Sequence, residues 1–341
     1  MAATIADITS SYIRETSFTV SSEITSNGGL EITEKGFCYA TTENPTVEST
    51  KKAVEGDDFE MTIDELAPET TYYVRAYAVN SFGTGYSEQI VVTTPPATGA
   101  IIGAVFSVGY NKKVLFSQGN LQYQASTSTW RFAGHQYDII GSDNSNISSS
   151  YSGWIDLFGW GTSGYNGKNP YMTSTDYSDY GDGNNDIAGT NYDWGVYNAI
   201  SNGGNQAGQW RTLTKDEWEF LINTRTDASS KKGFATVNDV TGLILLPNNW
   251  TLPNGLTFIS GDGNFAQNTY STADWAKMEA HGAVFLPAAG HREGTDVVSV
   301  GSYGLYWSST ACSYLTFKSK VGTSSYNRYM GRSVRLVKNA N

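Results

Sequence analysis

The run Thr94-Pro95-Pro96-Ala97-Thr98-Gly99-Ala100 constrains this chain more than any other feature. Paired prolines stop a strand, because they lack backbone donors and hold the chain extended. Sheet cannot run through such a segment. It therefore reads as a boundary, with one domain over residues 1–96, a linker over 97–101 and a second domain over 102–341. A chain of 341 residues has ample material for two separate cores.

Charge is distributed unevenly across that boundary. Residues 1–96 hold 15 acidic and 5 basic side chains, and the remainder holds 18 and 17. Nonspecific nucleic-acid binding needs basic surface, which neither part supplies. Charged residues are only 16% of the chain, aromatics 13%, and there are 36 Gly and 22 Tyr, a loop-rich and β-leaning composition. The two cysteines, Cys38 and Cys312, fall in different predicted domains, which excludes a disulfide framework. No apolar run reaches the length of a membrane span. Met1-Ala2-Ala3-Thr4 has no basic-then-apolar leader pattern. The domain content favours a mature cell-surface or extracellular protein, lipid-anchored in its full-length precursor, whose leader is absent here.

In residues 1–96, short alternating runs are separated by turn residues. Ser17–Val20, Gly36–Ala40, Phe59–Ile63 and Tyr72–Val79 read as strands, the last with Tyr72, Val74, Ala76 and Ala78 on one face. Strands at this spacing predict a small all-β sandwich. Cys38, inside a strand, reads as an inert core residue. Leu66-Ala67-Pro68-Glu69-Thr70-Thr71-Tyr72-Tyr73-Val74 resembles the tyrosine-corner strand of fibronectin type III domains. That resemblance implies that the Tyr72 hydroxyl donates a hydrogen bond fixing the crossover, and that the domain serves as a spacer.

The second domain reads as α+β with long loops. Ala104–Val108 and Lys113–Phe116 read as a hairpin pair, and Trp130–Ala133 follows. Residues 141–190 have almost no core periodicity, and Trp154, Phe158 and Trp160 are the natural pins for so long a loop region. Thr214-Lys215-Asp216-Glu217 is a capping box, after which Trp218 and Leu221 share a helix face. Ser271 or Thr272 caps a second helix through Trp275 and Met278, and a shorter one is expected over Trp194–Ile200. Leu243–Pro247 and Ala283–Pro287 read as buried strands.

The chain then closes on two ordered stretches, Gly301–Thr310 and Gly331–Lys338, around an irregular middle. Taken with Trp210–Glu219 and Gly282–Gly290, the pair Tyr306-Trp307-Ser308-Ser309 and Ser333-Val334-Arg335-Leu336-Val337 resembles the C-type lectin fold in its formylglycine-generating-enzyme-like branch. It is closer still to the variable proteins of bacterial diversity-generating retroelements. The resemblance implies a ligand-binding face diversified by adenine-directed mutagenesis. The matching positions are His291, Asp296, Tyr303, Leu305, Ala311, Cys312, Ser313, Tyr314, Thr316, Ser324, Ser325, Tyr326, Asn327, Arg328 and Tyr329. Trp218, Trp307, Ser308, Ser309, Val334 and Leu336 would be framework.

Physical chemistry points the same way without the family. Tyr gives broad contact area at modest entropy cost, and Ser, Thr and Asn give adaptable hydrogen bonds. The expected function is non-enzymatic, surface-displayed ligand binding of an adhesin or receptor-like kind. The expected ligand is a protein or glycan on another cell, phage or host surface, and no cofactor is called for. The alternative is an adhesive module of fixed specificity. An enzyme of the formylglycine-generating type is a weaker reading, since that chemistry uses two nearby cysteines and this domain holds only Cys312. His135, His281 and His291 are scattered, and no HExxH, Walker A or GxSxG motif occurs. Asp176, Asp179, Asp182 and Asp186 crowd one loop with Gly and Asn. Such oxygen density suits Ca²⁺, and turn chemistry explains it equally well.

Overall fold

The computed structural model describes residues 1–56, 58–101 and 103–340. The expected domain start at Ile102 and the terminal Asn341 lie outside them. The chain divides into two units, Met1–Ala97 and Thr98–Asn341. Together they give an N-terminal mostly-β region built as a sandwich and a C-terminal mixed α+β region.

In the first unit, strands Ile90–Thr93, Thr71–Asn80, Glu34–Ala40 and Thr50–Ala53 lie side by side, and Gly83–Tyr86 also pairs with Thr71–Asn80. Thr9–Ser11, Phe18–Ser21 and Glu60–Ile63 form a second antiparallel sheet. Phe18, Val20 and Ile63 of one sheet pack with Phe37, Val74, Ala76 and Val92 of the other, which is the sandwich core. Alternation along Thr71–Asn80 decides the inward face. Cys38 is fully buried and unpaired, and burial pushes its thiol up to about 11, which makes it inert. The Tyr72 hydroxyl is bonded as a corner, but it accepts, from the Ala67 amide at 2.9 Å. The expected donation is corrected: an orphan amide at the turn is the group that needs a partner.

The second unit begins earlier than the sequence suggested. Ile101 donates from its amide to Phe116 at 3.0 Å and is buried in the main core, and Ala100 bridges to Ser117. Residues 98–101 therefore belong to this unit, and Ala100 and Ile101 enter its hydrophobic cores. The hairpin Phe106–Gly109 and Lys112–Phe116 forms as expected. It is joined to the closing strand Leu336–Asn339 and then to Arg211–Thr212. The end of the chain thus sits in the middle of a sheet whose first strands open the unit.

Leu121–Gln124 pairs with Thr129–Phe132 and Trp154–Ile155. Lys232–Val237, Val240–Leu245 and Val284–Pro287 form the central antiparallel pairs of another sheet. The capping box is complete: Thr214 accepts from the Glu217 amide at 3.1 Å, and Glu217 accepts from the Thr214 amide at 3.0 Å. That helix, Lys215–Glu219, continues through a π-type turn at Phe220–Thr224. Buried Arg225 ends it by donating to the Leu221 carbonyl at 2.8 Å. Thr272–Ala280 is helical with Ser271 as N-cap, and Trp194–Tyr197 is one turn shorter than expected, capped by Asp193. Residues 141–190 hold only short helical turns and one short strand, pinned as their aromatics suggested. Trp160 is buried and donates to the Ser308 carbonyl at 2.9 Å.

Candidate functional site

The C-terminal candidates ride on a three-stranded antiparallel sheet, Gly304–Trp307, Ser313–Phe317 and Val321–Ser325. Successive residues on a strand face opposite sides. Tyr306, Leu315 and Phe317 enter one hydrophobic core, while Leu305, Trp307 and Tyr314 enter another. Both faces of the first two strands are therefore covered. This corrects the expected exposure of Leu305, Ser313 and Tyr314, which are all buried. Tyr314 retains 8% of its surface, with its ring edge-on to Trp307 at 5.8 Å and the Arg332 guanidinium 3.7 Å from its centroid.

The framework positions are all buried. Trp307 donates from its indole to the Phe158 carbonyl at 2.7 Å, and Ser308 donates from its hydroxyl to the Ser313 carbonyl at 2.8 Å. The Ser309 amide bonds Leu213 at 2.8 Å, tying the hairpin to the start of the capped helix. Trp218, Val334 and Leu336 fill the two cores.

Exposed candidates collect at one end of the sheet and in the segment after it. Ser325 and Tyr326 are exposed, Tyr326 at 56%, and Ala311, Cys312, Ser324, Asn327 and Tyr329 are half-buried. The structure joins them: the Tyr326 amide bonds the Cys312 carbonyl at 3.1 Å, the Ser313 and Ser325 hydroxyls meet at 2.9 Å, and the Asn327 amide group donates to the Tyr329 hydroxyl at 2.9 Å. Tyr303 lies at the other end, where Lys318 sits over its ring at 4.9 Å. The intervening strand Gly304–Trp307 puts at least about 13 Å between the two groups. Thr316 is half-buried on the middle strand. Asp296 is exposed and His291 half-buried on a separate hairpin, His291–Glu293 with Asp296–Val298. Arg292 of that hairpin bridges to Gly331, so His291 borders the closing stretch. Burial and the Arg332 charge hold the His291 imidazole below its usual value.

Arg328 is a correction of a different kind. It is buried, and its guanidinium is fully engaged. Nε donates to the Cys312 sulfur at 3.0 Å, Nη2 to Asn184 Oδ1 at 2.6 Å, and Nη1 to the Tyr180 carbonyl at 3.4 Å. The same group stacks on Tyr177 at 4.1 Å, and the Tyr177 hydroxyl meets the Cys312 sulfur at 3.0 Å. Arg328 therefore clamps the 312 turn to the loop around 177–184 and does not face a ligand. Cys312 itself has φ 55°, in the left-handed region that a non-glycine residue enters at a cost of about 1–2 kcal/mol.

Tyr177, 41% exposed, extends the patch and was missed in the sequence, since nothing in its loop signals adjacency to residue 312. Its hydrogen bond with Cys312, then partial burial, raises its phenol above the usual value. Arg332 was missed as well. It is buried between the Trp307 and Tyr314 rings, at 4.2 and 3.7 Å, and burial brings it down to about 10. The signal was its place in the closing stretch Gly331–Lys338.

The loop carboxylates accept hydrogen bonds, three of them within their own loop. Asp176 accepts from the Ser178 amide at 2.8 Å, Asp179 from the Ser174 hydroxyl, Asp182 from the Asn185 side chain at 3.4 Å, and Asp186 from the Ala311 amide at 2.8 Å. Among the described residues, no group of three or more His, Cys, Asp or Glu side chains is gathered as a metal would require. Asp186 is the one that touches the candidate patch.

No family model and no curated protein matches this chain. Solved structures similar to part of it include the sixth fibronectin type III domain from human fibronectin type III domain containing protein 3, at 24% identity, covering 28% of this chain and 88% of that one, with a TM-score of 0.24. The fn3 domain of human contactin 1 is 19% identical and covers 28% and 78%, also with a TM-score of 0.24. Among the described residues, no helix is long and apolar enough to cross a membrane.

Proposed function

We propose that this chain is a non-enzymatic, surface-displayed binding protein. The sandwich acts as a spacer, and the second unit, a C-type lectin fold of the retroelement variable-protein kind, offers its C-terminal segment to a protein or glycan on another surface. The observation that carries the reading is a contrast of burial within the C-terminal segment. Exposed Ser325 and Tyr326, with half-buried Asn327 and Tyr329, lie in the same C-terminal segment as a frame of buried Trp307, Ser308, Tyr314 and Arg332. A rigid underlayer lowers the ordering cost of binding, and Tyr, Ser and Asn supply adaptable contacts.

The gene's own neighbourhood tests the diversified form of this proposal. A near-copy of the coding segment for residues 291–329, differing only at adenines and lying beside a reverse transcriptase gene, is the expected finding. Absence of such a template would overturn it. The fixed-specificity alternative draws on Leu305, Ser313, Tyr314 and Arg328, whose buried contacts restrict free exchange. One ligand retained across natural variants would favour that form.

A further inference from the structure

An open cleft of about 420 Å³ in the second unit is lined by Gln122, Arg131, Tyr137, Asp138, Ile140 and Val240, among others. It shares no residue with the C-terminal patch, and its size falls in the range of small-molecule sites. Two opposite charges, Arg131 and Asp138, line it. Among the described residues, no salt bridge within 4.0 Å joins Arg131 to Asp138. Each is held by other partners. Arg131 lies opposite Gln122 in the strand pair, donates from Nε to Gln122 Oε1 at 2.9 Å, and has its guanidinium over the Trp154 ring at 3.7 Å. Asp138 accepts from the His135 amide at 2.7 Å, with the His135 ring nitrogen 3.4 Å away.

These restraints leave the outer fork of the guanidinium, Nη1 and Nη2, with no hydrogen-bond partner among the described residues. That fork matches a carboxylate with two parallel hydrogen bonds. The Asp138 carboxylate keeps lone pairs for a cationic donor. Ile140 and Val240 add apolar wall to the same cleft. A ligand with one charge would leave the opposite protein charge partly desolvated and unmatched. Burial already lowers the Arg131 value, against the opposing pull of Asp138.

We propose that this cleft binds a free α-amino acid with an apolar side chain, its carboxylate on the Arg131 fork, its ammonium on Asp138 and its side chain against Ile140 and Val240. Calorimetric titration of the full chain tests it with three probes: L-leucine, 4-methylpentanoate, which lacks the ammonium, and 3-methylbutylamine, which lacks the carboxylate. Leucine is expected to bind at least about tenfold more tightly than either single-charge analogue. Arg131→Gln and Asp138→Asn are each expected to weaken leucine by a similar factor. Asp138→Asn is close to isosteric and still accepts the His135 amide, so it decides the matter if Arg131→Gln fails to fold. Absence of leucine binding at millimolar concentration overturns the proposal. So does equal binding of an analogue, or an unchanged leucine affinity in folded Asp138→Asn.

Discussion

Tyr314 and Tyr326 were equivalent candidates in the sequence, and the structure separates them by burial, 8% exposed against 56%. Replacing each with alanine tests that separation. A buried aromatic ring removes roughly 150–250 Å² from water. At about 25 cal/mol per Å² this sets a ceiling of roughly 4–6 kcal/mol. The ring also stands edge-on to Trp307 and under the Arg332 guanidinium. Arg332 keeps Trp307 at 4.2 Å after the change, so the cation does not lose all its cover. Large aromatic-to-alanine changes in cores cost about 3–5 kcal/mol, which is the expected loss for Tyr314→Ala. Tyr326→Ala, with its side chain in solvent, should stay within about 0.5 kcal/mol. The assay is selective, because all nine Trp lie between Trp130 and Trp307, in the second unit. Urea unfolding followed by tryptophan emission therefore reports that unit alone. With a slope of roughly 2–3 kcal/mol per M, the Tyr314→Ala midpoint falls by about 1–2 M and the Tyr326→Ala midpoint barely moves. Equal midpoints for the two variants would refute the assignment of Tyr314 to the frame.

Local rules made much of the architecture legible. Thr214 and Glu217 announced their helix by spacing, because a capping box is completed within four residues. Tyr72 announced a corner, and the inward face of its strand followed from alternation, because one side of that sheet faces a core. The candidate site was harder for the same physical reason reversed. Gly304–Trp307 and Ser313–Phe317 are covered on both sides, so no alternation distinguishes a core position from an exposed one. Leu305 and Tyr314 looked available on composition alone. Arg328 looked like a recognition side chain, and only the fold brings Asn184, Tyr177 and Cys312 to its guanidinium from far along the chain. The exposed part of the patch, Ser325 and Tyr326, lies where the strand ends, a place that sequence pattern marks only loosely.

Two other positions answer to local chemistry, and a third to pH. Tyr72→Phe removes the acceptor of the Ala67 amide, so the sandwich should lose about 1–3 kcal/mol, with faster hydrogen exchange at that amide; an unchanged rate refutes the corner. Thr214→Ala should cost the second unit about 1 kcal/mol in the urea assay, and no shift would mean that Glu217 alone holds the helix start. Asp156 is fully buried, and burial raises its carboxyl to about 6 despite donors from Asn144 and Ile140. The unfolded chain holds the same group near about 3.9, so the folded state binds the proton more tightly. Above about pH 6 both states are ionised and the buried charge opposes folding; below about pH 4 both are protonated and that opposition is gone. This group's effect on stability therefore becomes more favourable as pH falls from 7 towards 4, by at most about 3 kcal/mol. Asp156→Asn should flatten the rise between pH 7 and 5 in the tryptophan-detected midpoint, and a pH profile parallel to that of the parent chain would show that the buried carboxylate does not set it.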